Sequence, residues 1–378
     1  LARRTSIVLS AIAMIVLTLA ALVPARATPQ LLVDMRTGEV LYAKDAGDPW
    51  YPASLTKLMT AFVTFEAIAR GEVNLDTPVI VSDYALEAPP SKVGFPVDTA
   101  VRLEDALYLL IVKSANDIAV AIAETIGGNE AAFVDRMNRA AAEMGLTATN
   151  FVNPHGLHDP RQTSSARDLA VLALTIRARY PQYDDMFATP SVRFGDIRMS
   201  SHNNLLTHFN GTTGMKTGYV CSAGLNIVAT VERQGRALMA VVLGASSGRE
   251  RGEMAAEMVL NGLSGKLRSN GQLITSVANR VGAEPVDMRP NLCGKKARDY
   301  VAARAAAFPY GLEGEPTYLT DDVRAEPRRV STLGRIRDVP IPRPRPLWAP
   351  LRSVVADVPQ SGPGIPLPRP RPVFRSSL

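Results

Sequence analysis

Apolar residues recur in two rhythms along this chain, one of helical period between about residues 58 and 180 and one of strand length beyond Met215. Ahead of both, Leu31 to Asp34 and Val40 to Ala43 flank a polar turn with Thr37-Gly38, the pattern of a hairpin. Leu58 to Ile68 reads as a buried helix, entered from Pro52 and ending near Gly71. Residues 72 to 100, interrupted by Pro78, Pro89, Pro90 and Pro96, read as irregular. Leu103 to Val112 is helical in pattern and stops at Lys113-Ser114-Ala115-Asn116-Asp117. Ile118 to Ile126 then resumes as a helix closed by Gly127-Gly128. A third helix spans Glu130 to Met144, and a fourth follows Thr163-Ser164-Ser165 and must finish by Pro181, whose ring cannot sit in a helix interior.

In the second half, from Met215, the pattern changes to strands: Val220 is followed by two strand-length runs, Leu225 to Val231 and Ala237 to Leu243. These two are joined at Gln234-Gly235, which makes them antiparallel neighbours. Arg249 to Leu263 reads as a closing helix. Between residues 271 and 333 we find a short helix around Lys295 to Ala307 and no strand alternation. This order of hairpin, helices, strands and final helix predicts an α+β fold: an antiparallel sheet covered by helices, with an all-helical lobe inserted at about 72–190.

Composition changes the picture at both ends. Arg3 and Arg4 precede an apolar run from Ile7 to Val23, and Ala25-Arg26-Ala27 has the small-x-small pattern of a signal-peptidase site. We therefore expect residues 1–27 to be a signal peptide and the mature chain to start at Thr28. Residues 334–378 hold eleven prolines, with Pro342-Arg343-Pro344-Arg345-Pro346 recurring as Pro368-Arg369-Pro370-Arg371-Pro372. We expect that tail to be disordered and extended. The formal net charge is +6, but the excess sits in the leader and the tail. The body between them is about −3, so no general basic field for nucleic acid is present. Cys221 and Cys293 are the only cysteines, enough for one disulfide in an exported protein and too few for a cysteine metal cluster.

The candidate chemistry begins at Pro52-Ala53-Ser54-Leu55-Thr56-Lys57. Three residues apart on a helix, Ser54 and Lys57 share a face, so the amine can reach the hydroxyl as a base reaches a nucleophile. An N-cap serine followed by an incidental lysine is the plain alternative. Ser114 and Asn116, in the break between two apolar helices, offer a hydroxyl for proton relay and an amide for holding a carbonyl. Ser201-His202-Asn203 has the same spacing and reads as structural. Lys216-Thr217-Gly218 opens the strand region with a cation, a hydroxyl and a residue without a side chain, where a ligand backbone can lie close.

Ser54 to Lys57, Ser114 to Asn116 and Lys216 to Gly218, in that order, are the motif set of penicillin-recognising serine enzymes. With Asn153-Pro154-His155-Gly156-Leu157, Ser165-Ala166-Arg167-Asp168, Met215 and Tyr219, the chain from about 30 to 264 closely resembles the low-molecular-mass D-alanyl-D-alanine carboxypeptidases. The resemblance implies a three-layer αβα fold with a five-stranded antiparallel sheet, of β-lactamase/transpeptidase type. The implied organisation is a catalytic domain over 28–264, an unassigned extension over 265–333 and the tail from 334.

The resemblance also implies roles. Ser54 attacks the carbonyl between the two D-alanines of a peptidoglycan stem pentapeptide, and Lys57 takes its proton. Ser114 passes a proton to the leaving amine, and Asn116 positions the peptide. Lys216 and Thr217 hold the terminal carboxylate, and the oxyanion lies between the backbone N–H groups of Ser54 and Tyr219, beside Gly218. β-Lactams are expected as inhibitors acylating Ser54, with no metal or cofactor, and the location implied is the periplasm. Relatives commonly carry a β-rich second domain and a terminal amphipathic helix; neither is legible here, so membrane association is not supported by such a helix. The rival readings are a β-lactamase, for which Ala115 stands in place of the usual aspartate, and a peptidoglycan-binding scaffold acting through the Pro/Arg tail.

Overall fold

A computed structural model describes residues 28–336, so the expected signal peptide and the tail beyond 336 lie outside the described residues. Strands β1 (Gln30–Asp34) and β2 (Val40–Lys44) form the expected hairpin. A single 3-10 turn, Ala53–Thr56, leads into α1 (Lys57–Ala69), which is buried on every side as far as Ala67. The stretch read as irregular instead holds β3 (Pro78–Ile80), α2 (Asp83–Glu87) and β4 (Thr99–Arg102). These pieces are too short to show a period, and Pro78 is tolerated because it begins an edge strand whose N–H side needs no partner.

Helix α3 (Leu103–Tyr108) continues without a loop into a π turn, Leu109–Lys113, which ends on Ser114 in the left-handed conformation. Helices α4 (Asn116–Gly127), α5 (Glu130–Glu143) and α6 (Ala166–Arg179) follow the expected pattern. After them come α7 (Asp184–Ala188), the hairpin β5 (Ser191–Phe194) and β6 (Ile197–Ser200), and α8 (Leu205–His208). Strands β7 (Thr212–Val220), β8 (Gly224–Arg233) and β9 (Arg236–Ala245) and helix α9 (Gly248–Leu263) complete the layer.

The main sheet is antiparallel throughout, in the order β2-β1-β9-β8-β7, which leaves β7 at one edge. Both faces are covered, which explains why β9 reads as one apolar run. Leu238, Ala240 and Val242 pack toward α9 with Leu32, Ile227 and Val259. Met239, Val241 and Leu243 pack with Leu31, Val33 and Val228 into the larger core shared with α1 and α6. Each fully buried side chain of this size contributes about 1.5–3 kcal/mol. The inserted lobe is helical at its centre but edged by two small sheets, one containing β3 and β4 and the other β5 and β6, so it is not made of helices alone.

The extension beyond α9 wraps the same body. Ile274 N donates to Gly38 O at 2.9 Å and Met288 N to Ser222 O at 3.0 Å, while Arg280 pairs with Asp48 at 3.0 Å. Helices α10 (Arg289–Leu292) and α11 (Ala297–Ala307) follow, and Arg304 of α11 binds the fully buried Glu250. Two two-residue strands, β10 (Arg328–Arg329) and β11 (Gly334–Arg335), end the described chain, so the boundary drawn at 334 falls within a paired strand. Strands of this length carry no alternation for a sequence to display.

Candidate active site

Ser54 is held by three neighbours that the chain brings together from far apart. Asn226 of β8 donates to the carbonyls of Tyr51 (2.9 Å) and Pro52 (3.2 Å), fixing the approach to the turn. Ala53 adopts φ 49°, a conformation uncommon outside glycine, so the entry to the turn that carries Ser54 is strained. Against it lie two glycines. A Cβ on Gly156, itself at φ +89°, would come within 1.9 Å of Ala53 O, and one on Gly218 of β7 within 2.9 Å of Pro52 O and Ser54 N. Only residues without side chains let the loop and the strand press on this turn.

Lys57, the first residue of α1, is completely buried. Its Nζ lies 2.7 Å from Asn116 Oδ1, 2.7 Å from the His155 carbonyl and 3.1 Å from Ser54 Oγ. The first two neighbours can only accept; Asn116 is fixed in that sense because its Nδ2 donates to Pro89 O at 2.7 Å. Burial first, and the nearby Lys216 charge second, push the Lys57 ammonium well below its ordinary value, against a smaller opposing pull from Asp117. A neutral amine gives its two hydrogens to the two obligate acceptors. Its lone pair then faces the Ser54 hydroxyl.

The lobe wall is set by Asp117 and the π turn. The fully buried Asp117 carboxylate accepts from Val93 N and Gly94 N at 3.0 and 2.8 Å, pinning the loop that supplies Pro89 O. The π turn places Ser114 at φ 61°, ψ 37°, where its Oγ accepts from Lys216 Nζ at 2.9 Å. Lys216 also donates to Thr217 O at 2.9 Å. Burial and then the Arg251 charge lower its pKa to about 7.

Ser54, Ser114, Asn116, Thr217, Gly218 and Tyr219 line one cleft of about 350 Å³, between the open edge of β7 and the lobe. Lys57 and Lys216 lie behind its wall, each bonded to a serine that lines it. Sequence reasoning missed Arg251, which also lines this cleft. It is 5% exposed, its Nη2 donates to His202 O, and its Nε is buried without a hydrogen-bond partner among the described residues. Burial lowers its pKa to about 10, so it stays a cation. The available signal was the pattern of α9, where Glu250, Arg251 and Glu253 all fall on buried positions. His202 likewise lines the cleft, whereas Asn203 has the structural place expected of its motif, donating to Gly214 O at 3.1 Å.

Cys221, in the turn after β7, is bonded to Cys293 of the extension (S–S 1.99 Å). Tyr219, half-exposed at the cleft, has its hydroxyl 3.4 Å from Cys293 Sγ. The extension thus reaches the rim of the site. His155, whose carbonyl serves Lys57, is kept neutral, its pKa lowered to about 3 by burial and then by Lys57.

Comparison with known proteins places these features in a family. The family model described as D-alanyl-D-alanine carboxypeptidase matches residues 18–247. The D-alanyl-D-alanine carboxypeptidase DacA of Haemophilus influenzae is 36% identical over 227 residues, covering 58% of each chain. The crystal structure of penicillin-binding protein 6B from Escherichia coli is similar with a TM-score of 0.60 and 35% identity, covering 63% of this chain and 77% of that one. Penicillin-binding protein D2 of Listeria monocytogenes, solved in a cefotaxime-bound form, has a TM-score of 0.57 and 27% identity over 63% of this chain and 97% of its own. The match spans about three-fifths of the curated relatives' length.

Proposed function

The chain belongs to the D-alanyl-D-alanine carboxypeptidase family, and from that membership we propose that it is a serine enzyme releasing the terminal D-alanine from peptidoglycan stem pentapeptides. The observation that carries this reading is the Ser54 hydroxyl 3.1 Å from a fully buried amine whose other two neighbours are obligate acceptors. Ser54 Oγ attacks the carbonyl carbon of the penultimate D-alanine while Lys57 takes the hydroxyl proton. The N–H groups of Ser54 and Tyr219 stabilise the oxyanion. Ser114 delivers a proton to the departing D-alanine nitrogen as the C–N bond breaks, and the proton is replaced through Lys216, to which it is hydrogen-bonded. Water then attacks the ester carbonyl, its released proton restores the one given up by the Ser114–Lys216 pair, and Lys57 returns its proton to the departing Ser54 Oγ.

Selection of a free carboxylate follows from charge. Lys216 and Arg251 are buried cations beside the cleft, and Thr217 adds a hydroxyl on its wall. A carboxylate entering there gains charge-assisted hydrogen bonds that an internal peptide bond does not offer. The open edge of β7 suits an extended peptide, whose backbone can pair with it. β-Lactams, which carry a carboxylate and a reactive amide, fit the same groups and acylate Ser54.

The site of action we propose is the bacterial cell envelope, reached by export of the chain. No helix among the described residues is long and apolar enough to cross a membrane. The test is D-alanine release from a diacetylated tripeptide ending in D-Ala-D-Ala, together with the mass of the protein after exposure to penicillin. Release, and a long-lived adduct on Ser54 absent from Ser54→Ala, are expected. Rapid turnover of penicillin without D-alanine release would make the protein a β-lactamase instead.

A further inference from the structure

The last described segment, residues 328–336, lies far beyond the region matched by the family model, yet it is built into the lobe that carries Ser114. Arg328 Nη2 is 3.0 Å from Glu104 Oε1, and its guanidinium carbon stands 4.9 Å from the centre of the Tyr108 ring. The N–H and hydroxyl of Ser331 both donate to Asp105 Oδ2 at 3.2 Å, on a carboxylate residue only 4% exposed. Between these contacts Val330 is buried in the main core, its N–H donating to Arg193 O at 2.9 Å. Strand β10 extends one small sheet through β5, and β11 extends the other through β4.

Glu104, Asp105 and Tyr108 all belong to α3, and β4 runs directly into that helix at Arg102. No side chain caps the helix N-terminus; its first two N–H groups donate to Thr77 O and Leu75 O at 2.9 and 3.0 Å, and the segment adds side-chain contacts to Glu104, Asp105 and Tyr108. At its other end α3 passes into the π turn and Ser114 with no loop between. A shift or tilt of α3 is therefore passed along continuous helical backbone toward Ser114 and its 2.9 Å contact with Lys216. Proton delivery depends on such distances, and a displacement of about 1 Å costs up to roughly a hundredfold in rate.

We infer that Arg328 and Ser331 are positioning residues for Ser114, making the extension a working part of the catalytic lobe. This rests on the proposed role of Ser114 in returning a proton to the leaving amine. Neither residue touches the substrate cleft, so the effect appears in the chemical step and not in binding.

The experiment uses the full chain and counts active sites by covalent penicillin titration, which removes any unfolded fraction from the rate. The double variant Arg328→Ala/Ser331→Ala is expected to lose about tenfold in kcat per titrated site, with KM within about twofold of the unaltered chain. Arg328→Lys, which keeps a cation at Glu104 and Tyr108, is expected to recover most of the rate. Should the double variant not fold, Ser331→Ala alone, which deletes one hydroxyl, gives the same readout with a smaller loss. A purely structural contact would reduce the number of titrated sites and leave kcat per site intact, and that result overturns the inference. If the unaltered chain neither releases D-alanine nor forms an adduct, the functional reading itself falls and the inference with it; an active unaltered chain with an unimpaired variant removes the inference alone.

Discussion

Lys216 Nζ lies 2.9 Å from Ser114 Oγ, joining the edge strand of the sheet to the helical lobe across 102 positions of sequence. This bond closes the back of the cleft. It also places a cation of lowered pKa beside the proposed proton donor, so the site's response to pH is built into it.

The pH dependence follows with a definite sign. Lys216 has its pKa lowered to about 7 by burial and by Arg251, so the free enzyme loses this cation as pH rises through about 7. Since kcat/KM reports the free enzyme, it is expected to fall above that pH for a substrate with a terminal carboxylate. The bound carboxylate favours the protonated form, and the alkaline limb of kcat lies at higher pH. Initial rates from neutral to alkaline pH check both limbs; coincident limbs would mean that Lys216 does not meet the carboxylate.

Arg251 offers a test of specificity. Replacing it with alanine removes a buried cation whose Nε has no partner among the described residues. Charge-assisted hydrogen bonds contribute about 1.5–3 kcal/mol, so KM for a free carboxylate is expected to rise roughly 10- to 100-fold. A substrate whose terminus is amidated should show almost none of this loss. Parallel assays on the two substrates decide it.

Gly156→Ala probes the floor beneath Ser54. The new Cβ would meet Ala53 O at 1.9 Å on a backbone at φ +89°. The loop must withdraw from Ser54, taking the His155 carbonyl away from Lys57. Chemical denaturation is expected to show a loss of about 2–4 kcal/mol, and penicillin acylation of the folded fraction is expected to slow. Gly145→Ala, where no atom lies within 4 Å of the added carbon, is the control for the acylation effect.

The disulfide closes a separation of 72 residues. Chain-entropy reasoning assigns such a loop a stabilisation of about 4 kcal/mol. Cys221→Ala/Cys293→Ala should therefore unfold at distinctly lower denaturant concentration, and reductant should bring the unaltered chain to the same midpoint. Because Tyr219 lies against Cys293 at the rim of the cleft, a rise in KM is expected alongside.

Much of this protein was legible from local pattern. Helical period placed α1, α4, α5, α6 and α9, strand-length runs placed the hairpin, β8 and β9, and three short motifs named Ser54, Lys57, Ser114, Asn116 and Lys216 as candidates. Such signals survive because burial of one face, or of both, imposes a period on neighbouring residues. What tertiary structure decided is of another kind. The acceptors around Lys57 come from the lobe and from the loop at His155, Arg251 enters from the closing helix, and the strands at 328–335 are too short to carry any period. These contacts join residues far apart in the chain, through bonds that leave no regular spacing behind. The sequence by itself identified the serine and the lysine of the opening motif. Only the fold determined that the lysine is dry, flanked by two obligate acceptors, and so disposed to take the serine's proton.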